Sequence, residues 1–276
     1  MNVSLCTISF RHQLQSLNNL AQWANDHQFQ GIELWGVHAK NLLAEAPTNI
    51  DMLESYGLPI TMVSDYVPLM GTTEQLMDSV QLLSLTAKAW KTKKVRIFAG
   101  NKSSLDMTET EKQILVQRLR DITDYFYKNN QLLLIETHPN TFADRLESII
   151  RLVKEVAHPG LRLNFDVLHI WEAGVDPLEA FSLLKNHISH FHFKNITSRE
   201  QLHVFQQDNV YSPAGTREGM VPLFEGAIQY EPIIEKILNS HSDIDASLEW
   251  FGPNVQEVLK KDRMKLKELE RASQYV

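Results

Sequence analysis

Leu132-Leu133-Leu134-Ile135-Glu136-Thr137-His138 is a run of four aliphatic residues that stops at a carboxylate, with an imidazole two positions on. An unbroken apolar run of this length is the mark of a parallel strand covered on both faces. The same pattern recurs along the chain, near 2–9, 31–35, 58–64, 94–99, 131–137, 161–166, 188–194 and 244–251. Helical periodicity fills the gaps, most clearly at 74–90, 109–129, 142–156 and 227–239. In 109–129, Ile114, Leu115, Leu119, Ile122 and Phe126 recur at helical spacing, with charged residues between them. Eight strands in 276 residues is about 34 residues per unit, the repeat expected of an α/β (β/α)8 TIM barrel. A doubly wound open sheet is the rival. Its glycine-rich phosphate loop is missing, because the first strand runs into Phe10-Arg11-His12-Gln13. No Pro/Gly/Ser-rich linker interrupts the alternation, so residues 1–276 are read as a single barrel domain. One connection is long: 195–226 holds Pro213, Gly215, Gly219, Pro222 and Gly226, and would lie on the strand-end face where barrel active sites sit.

Composition narrows the function. The chain is 43% hydrophobic and 22% charged, which sets aside disordered and low-complexity classes. A formal charge of −7 speaks against a protein that tracks nucleic-acid phosphates. Cys6 is the only cysteine and can form no internal disulfide, so a reducing compartment is expected. Met1-Asn2-Val3 lacks the basic start of a signal peptide, and no apolar run approaches ~18 residues. The expectation is a cytoplasmic protein that binds neither membrane nor nucleic acid.

Ionisable groups at strand ends carry the chemistry. Glu136, Asp166 and Glu249 close the fifth, sixth and eighth runs, and His192 lies within His190-Phe191-His192-Phe193-Lys194 of the seventh. In a barrel these ends share one rim, so the four side chains can converge. Carboxylates with one imidazole suit a hard divalent ion such as Mg2+ or Mn2+, and the lack of thiolates speaks against structural zinc. Each residue also has an ordinary structural reading. Asp166 could cap the next helix, Glu136 and Glu249 could be solvated, and His192 could be a hydrogen-bonded core residue. Residues two apart on a strand share a face, which puts His138 beside Glu136 as a candidate general base, and Lys194 on the face of His192. Arg96, between Val95 and Ile97, needs an anion if it points inward, and its planar fork suits a carboxylate. Phe251, two past Glu249, is expected to face the same side.

Longer strings carry a resemblance. Ser4-Leu5-Cys6-Thr7-Ile8-Ser9-Phe10-Arg11-His12-Gln13-Leu14, Gly31-Ile32-Glu33-Leu34-Trp35-Gly36 and Glu136-Thr137-His138-Pro139-Asn140-Thr141 are three of them. Leu168-His169-Ile170-Trp171-Glu172, His192-Phe193-Lys194-Asn195-Ile196, the segment GMVPLFEGAI at 219–228 and SLEWFG at 247–252 are the others. Together they resemble the xylose-isomerase-like barrels and, among these, the 3-dehydroshikimate dehydratases of petrobactin siderophore biosynthesis. The resemblance implies a lyase that converts 3-dehydroshikimate to 3,4-dihydroxybenzoate (protocatechuate) and water through an enediolate stabilised by Mn2+ or Mg2+. It implies Glu136, Asp166, His192 and Glu249 as metal ligands, with His138 as base and His169 as a second active-site histidine. It also implies substrate contacts at Tyr66, Arg96, Lys194 and Tyr211, with Lys194 stabilising an oxyanion. A homodimer is expected by analogy. The alternatives are a sugar isomerase or epimerase, or an inosose-type dehydratase, for which a buried guanidinium has no carboxylate to meet. A barrel-type abasic-site nuclease is disfavoured by the acidic charge. A non-catalytic sensor would not need a base beside a metal ligand.

Overall fold

The computed structural model describes residues 1–240 and 243–273. Its strands are β1 (Asn2–Cys6), β2 (Gly31–Trp35), β3 (Ile60–Ser64), β4 (Lys94–Ile97), β5 (Leu132–Glu136), β6 (Leu161–Asp166), β7 (Ile188–Phe193), β8 (Asn195–Ile196), β9 (Met220–Val221) and β10 (Asp245–Leu248). Eight of them close a barrel in the order β1-β10-β7-β6-β5-β4-β3-β2, while β8 and β9 pair antiparallel outside it. Every barrel pairing is parallel. The helices are α1 (Leu17–Asp26), α2 (Gly36–Asn41), α3 (Ala46–Ser55), α4 (Thr73–Ala89), α5 (Glu109–Lys128), α6 (Leu146–Val156), α7 (Val167–Glu172), α8 (Pro177–Leu184), α9 (Gln207–Tyr211), α10 (Tyr230–Ser240) and α11 (Val255–Ser273). Among the described residues no helix is long and apolar enough to cross a membrane.

The strands are not apolar on both faces. Val3, Leu5, Ile32, Leu34, Val95, Ile97, Leu133, Ile135, Leu163, Phe165, Phe191, Phe193, Ala246 and Leu248 join the helices in one continuous hydrophobic cluster. The intervening positions hold Ser4, Glu33, Arg96, Glu136, Asn164, Asp166, His190, His192 and Ser247, all buried. Barrel interiors are usually filled by branched aliphatics. Here most of the aliphatics lie in the layer between sheet and helices, and the interior is polar apart from Met62 and Leu134.

Helix boundaries follow local chemistry. Thr72 and Gln75 form a reciprocal capping box before α4, and Thr108 and Glu111 form another before α5. Each such cap contributes about 1 kcal/mol. Helix α5 buries Leu115, Val116, Leu119, Ile122 and Phe126. Ile114, expected on that stripe, is exposed instead, because Val116 completes the inward arc and leaves Ile114 outside it. Truncating the fully buried Phe126 to Ala would cost about 3–5 kcal/mol. The helix expected from 142 starts at Leu146. Phe142 N donates to Ala99 O (2.9 Å) and His138 N to Ala143 O (3.0 Å), which holds 142–145 as turns against the barrel rim.

The long connection is an ordered excursion containing β8, a 3-10 turn at Arg199–Phe205, α9 and β9. Asn195 stitches its two ends together. Its Nδ2 donates to Leu223 O (2.7 Å) and Ile228 O (2.8 Å), and its Oδ1 accepts from Ile228 N (3.2 Å). A side chain on Gly226 would run into the Asn195 amide, so this approach requires glycine. Farther along, Arg11 Nε donates to Val210 O (2.7 Å) and Arg11 Nη2 to Phe251 O (3.3 Å), docking the excursion onto the rim. At its foot Leu223 N donates to Oδ1 of the buried Asp262 on α11 (3.0 Å).

Candidate active site

Four strand ends meet at one point. Glu136 ends β5, Asp166 ends β6, His192 stands opposite Asp166 on β7, and Glu249 follows β10. His192 Nδ1 lies 3.4 Å from Glu136 Oε1, 3.7 Å from Glu249 Oε1 and 3.9 Å from Asp166 Oδ2. Asp166, His192 and Glu249 bring donor atoms within 4.8 Å of one another, as do Glu136, Asp166 and His169. Asp166 combines the two readings open to it in the sequence. Its Oδ1 caps α7 by accepting from Leu168 N (3.0 Å) and His169 N (3.3 Å), while Oδ2 turns to the cluster.

Two cations sit against these carboxylates. Arg96 Nε lies 2.8 Å from Glu136 Oε2, and the guanidinium lies over the Phe98 ring. Lys194 Nζ lies 2.6 Å from Asp166 Oδ2 and 2.7 Å from Glu249 Oε2. Burial opposes charge on Glu136, yet Arg96 and then His192 hold its carboxyl well below the usual carboxylate range. Burial likewise opposes the Lys194 ammonium, and Asp166 and Glu249 raise its pKa above the ordinary lysine value. Arg96 was expected to face a substrate carboxylate. It is paired with Glu136 through Nε, while Nη1 makes no hydrogen bond and the residue lines the cavity.

The donor set fits a divalent cation. Glu33, Glu136, Asp166 and Glu249 are four buried carboxylates, and Arg96 and Lys194 are two buried cations. The carboxylates outnumber these cations by two. Burial opposes charge on His192, yet Glu33, Glu249 and Glu136 raise its pKa well above the ordinary imidazole value. A divalent ion would supply the charge that its proton otherwise does. His192 Nδ1, fully buried in the middle of the carboxylates, makes no hydrogen bond.

The remaining predicted residues gather above this cluster. His138 and His169 lie with ring centroids 4.4 Å apart, their planes tilted at 57°. His138 Nδ1 lies 2.8 Å from Pro139 O, an atom that can only accept, so Nδ1 carries the proton and Nε2 the lone pair. Burial, reinforced by His169, pushes the His138 pKa down to about 3, so its imidazole is neutral at pH 7. His169 Nδ1 lies 2.7 Å from Glu172 Oε2, a partner the sequence did not single out. The hydroxyls of Tyr66 and Tyr211 touch, and Tyr211 stacks on Trp35 at 5.8 Å. Phe251 lies beneath Lys194, 5.6 Å from Nζ to ring centroid. All of these predicted residues except Asp166 and His192 line one cavity of about 1060 Å3, which the excursion flanks with Arg199, Leu202, Phe205 and Tyr211.

Glu33 is the functional candidate that sequence reasoning missed. It lies mid-strand in β2, fully buried. Ser64 Oγ donates to its Oε1, and its two oxygens lie 3.1 and 2.9 Å from His192 Nε2. His190 Nε2 is 3.5 Å from Glu33 Oε2 and 2.8 Å from Ser247 Oγ. The available signal was a carboxylate inside the apolar run Gly31-Ile32-Glu33-Leu34-Trp35.

A model of the xylose isomerase-like TIM barrel family matches residues 21–270. The chain belongs to this family. Within the family it is 47% identical over 266 residues to a 3-dehydroshikimate dehydratase of Bacillus anthracis, covering 94% of each chain. The crystal structure of the probable 3-DHS dehydratase AsbF, involved in petrobactin synthesis in Bacillus anthracis, superposes with a TM-score of 0.93. That comparison has 46% identity and covers 97% of this chain and 99% of the other. An inosose dehydratase of Lacticaseibacillus casei is 28% identical over 137 residues, covering 49% of this chain and 46% of its own.

Proposed function

We propose that this chain is a divalent-metal-dependent 3-dehydroshikimate dehydratase, a carbon–oxygen lyase that forms 3,4-dihydroxybenzoate and water. Glu136, Asp166, His192 and Glu249 would hold the ion, with Mn2+ or Mg2+ matching the carboxylate-rich set. When bound, such an ion supplies Lewis-acid polarisation of a carbonyl oxygen. The near-full-length identity to the Bacillus anthracis dehydratase supports the reading. The observation that carries it against neutral sugars and inositols is Arg96, a buried guanidinium among the residues that line the cavity, whose planar fork suits a carboxylate.

The substrate is a ring ketone with a hydroxyl on the α carbon, a second hydroxyl on the β carbon and a carboxylate across the ring. Arg96 binds the carboxylate while keeping its contact with Glu136. His138, neutral and with Nε2 free of the proton, takes the α hydrogen. Negative charge then grows on the ketone oxygen, where the Lys194 ammonium stabilises it. The β hydroxyl leaves with the proton returned from His138 Nε2, giving water. Enolisation completes the aromatic ring and makes the step effectively irreversible. Tyr66 and Tyr211 orient the ring hydroxyls, and Phe251 packs against the ring face.

We read residues 1–276 as one catalytic domain acting in the cytoplasm, and residues 195–226 as a lid that brings Tyr211 over the substrate. The test is purified protein incubated with 3-dehydroshikimate, with and without chelator, followed by catechol absorbance. Absence of metal-dependent product would overturn the assignment. Turnover of inosose in its place would transfer the site to the inositol series.

A further inference from the structure

We propose that Glu33 is the positioning residue for His192: its carboxylate accepts a hydrogen bond from Nε2–H, leaving Nδ1 as the lone-pair face toward Glu136, Asp166 and Glu249. The inference rests on the reading that this quartet holds a divalent ion.

Both Glu33 oxygens lie within 3.1 Å of His192 Nε2, and an ionised carboxylate can only accept. Nε2 is therefore the protonated nitrogen. Nδ1, on the opposite side of the ring, is the atom that points at the three carboxylates. Glu33 is itself held in place. Ser64 donates to Oε1 from the next strand, and His190, fixed by Ser247, lies on the side of Oε2. All five residues are buried, so no water competes for these bonds. A histidine that ligates a metal through one nitrogen and donates its other N–H to a carboxylate is held in tautomer and orientation, and is made more basic. Glu33 cannot itself join the ion from this position without releasing His192.

The test reads metal binding and proton position, not turnover. Metal-free protein prepared with chelator is titrated with Mn2+ by calorimetry, wild type beside Glu33→Gln, which keeps the size of the side chain and removes its charge. The variant is expected to bind Mn2+ about 10–100-fold more weakly. In parallel, protein loaded with diamagnetic Zn2+ is examined by 1H–15N correlation of its histidine rings. Wild type should show a proton on His192 Nε2 and none on Nδ1, and Glu33→Gln should shift that Nε2–H signal. A proton on Nδ1 in the loaded wild type would overturn the proposal. So would a folded Glu33→Gln that keeps wild-type Mn2+ affinity. If the variant does not fold, the wild-type spectrum decides alone. Wild type that binds no Mn2+ or Zn2+ would remove the underlying metal reading, an outcome distinct from equal affinity in the two proteins.

Discussion

Asp262→Asn should stabilise the protein, and by an amount that depends on pH. Burial first, and Glu225 to a lesser degree, push the Asp262 carboxyl up to about 7 from 3.8, although the Leu223 N–H and Lys261 pull the other way. Between these values the unfolded chain has released its proton and the folded protein has kept it. The folded state thus binds more protons, and stability falls as pH rises from about 4 to about 7, then levels off. A shift of about 3 pK units corresponds to roughly 4 kcal/mol lost at neutral pH. Asparagine keeps an oxygen for the 3.0 Å bond from Leu223 N and has no charge to desolvate. The advantage of the variant should therefore grow by about 2 kcal/mol between pH 5 and pH 7 and by only a few tenths more to pH 8. Taking the difference between pH values cancels any fixed penalty from the amide's own N–H groups. Urea unfolding of both proteins across this range, followed by circular dichroism, measures it. A variant with a pH-independent difference, or one losing ground as pH rises, would refute the argument that Asp262 is kept protonated by burial.

Three further outcomes follow from the site. His138→Ala should abolish turnover while leaving metal content near wild type, whereas Glu136→Gln should lower both; metal analysis beside activity separates the roles. Arg96→Lys keeps a positive charge near Glu136 but loses the planar fork. Steady-state kinetics should show kcat/KM for the carboxylated substrate falling about 10–100-fold, the worth of one charge-assisted hydrogen bond. Asn195→Ala removes three hydrogen bonds that join the ends of the excursion, a loss of about 3 kcal/mol seen as a lower Tm. The same variant should lose kcat/KM, because Tyr211 rides on that segment.

The barrel and the four converging side chains were legible because both are written locally. A carboxylate at the end of an aliphatic run names its own strand and its own rim, and Glu136, Asp166 and Glu249 all have this form. Glu33 was hidden for the opposite reason. Its significance is a contact with His192, 159 residues away in sequence, and nothing in GIELW announces which residue it will meet. Arg96 shows the same limit, since an inward guanidinium was readable but its pairing with Glu136 depends on β4 and β5 lying side by side. Ile114 was misplaced because apolar residues two apart, here Ile114 and Val116, cannot both lie on the inward arc of a helix. The interior polarity was only half visible. In ISHFHF the alternation is plain, but LLLIE reads as apolar throughout, and its inward Leu134 is buried outside the main hydrophobic cluster.

Division of labour within each barrel strand has a practical consequence for engineering. Adhesion between sheet and helices comes from one set of alternate residues, and reactivity comes from the other set. A thermostable descendant can therefore be sought in a combinatorial library restricted to the helix-facing aliphatics, such as Ile97, Ile135, Phe165 and Phe193, leaving the reactive ensemble untouched. A library aimed at new substrates would draw on the complementary positions and spare the scaffold's adhesion. Such modularity at single-residue spacing makes the two properties separately selectable in one polypeptide.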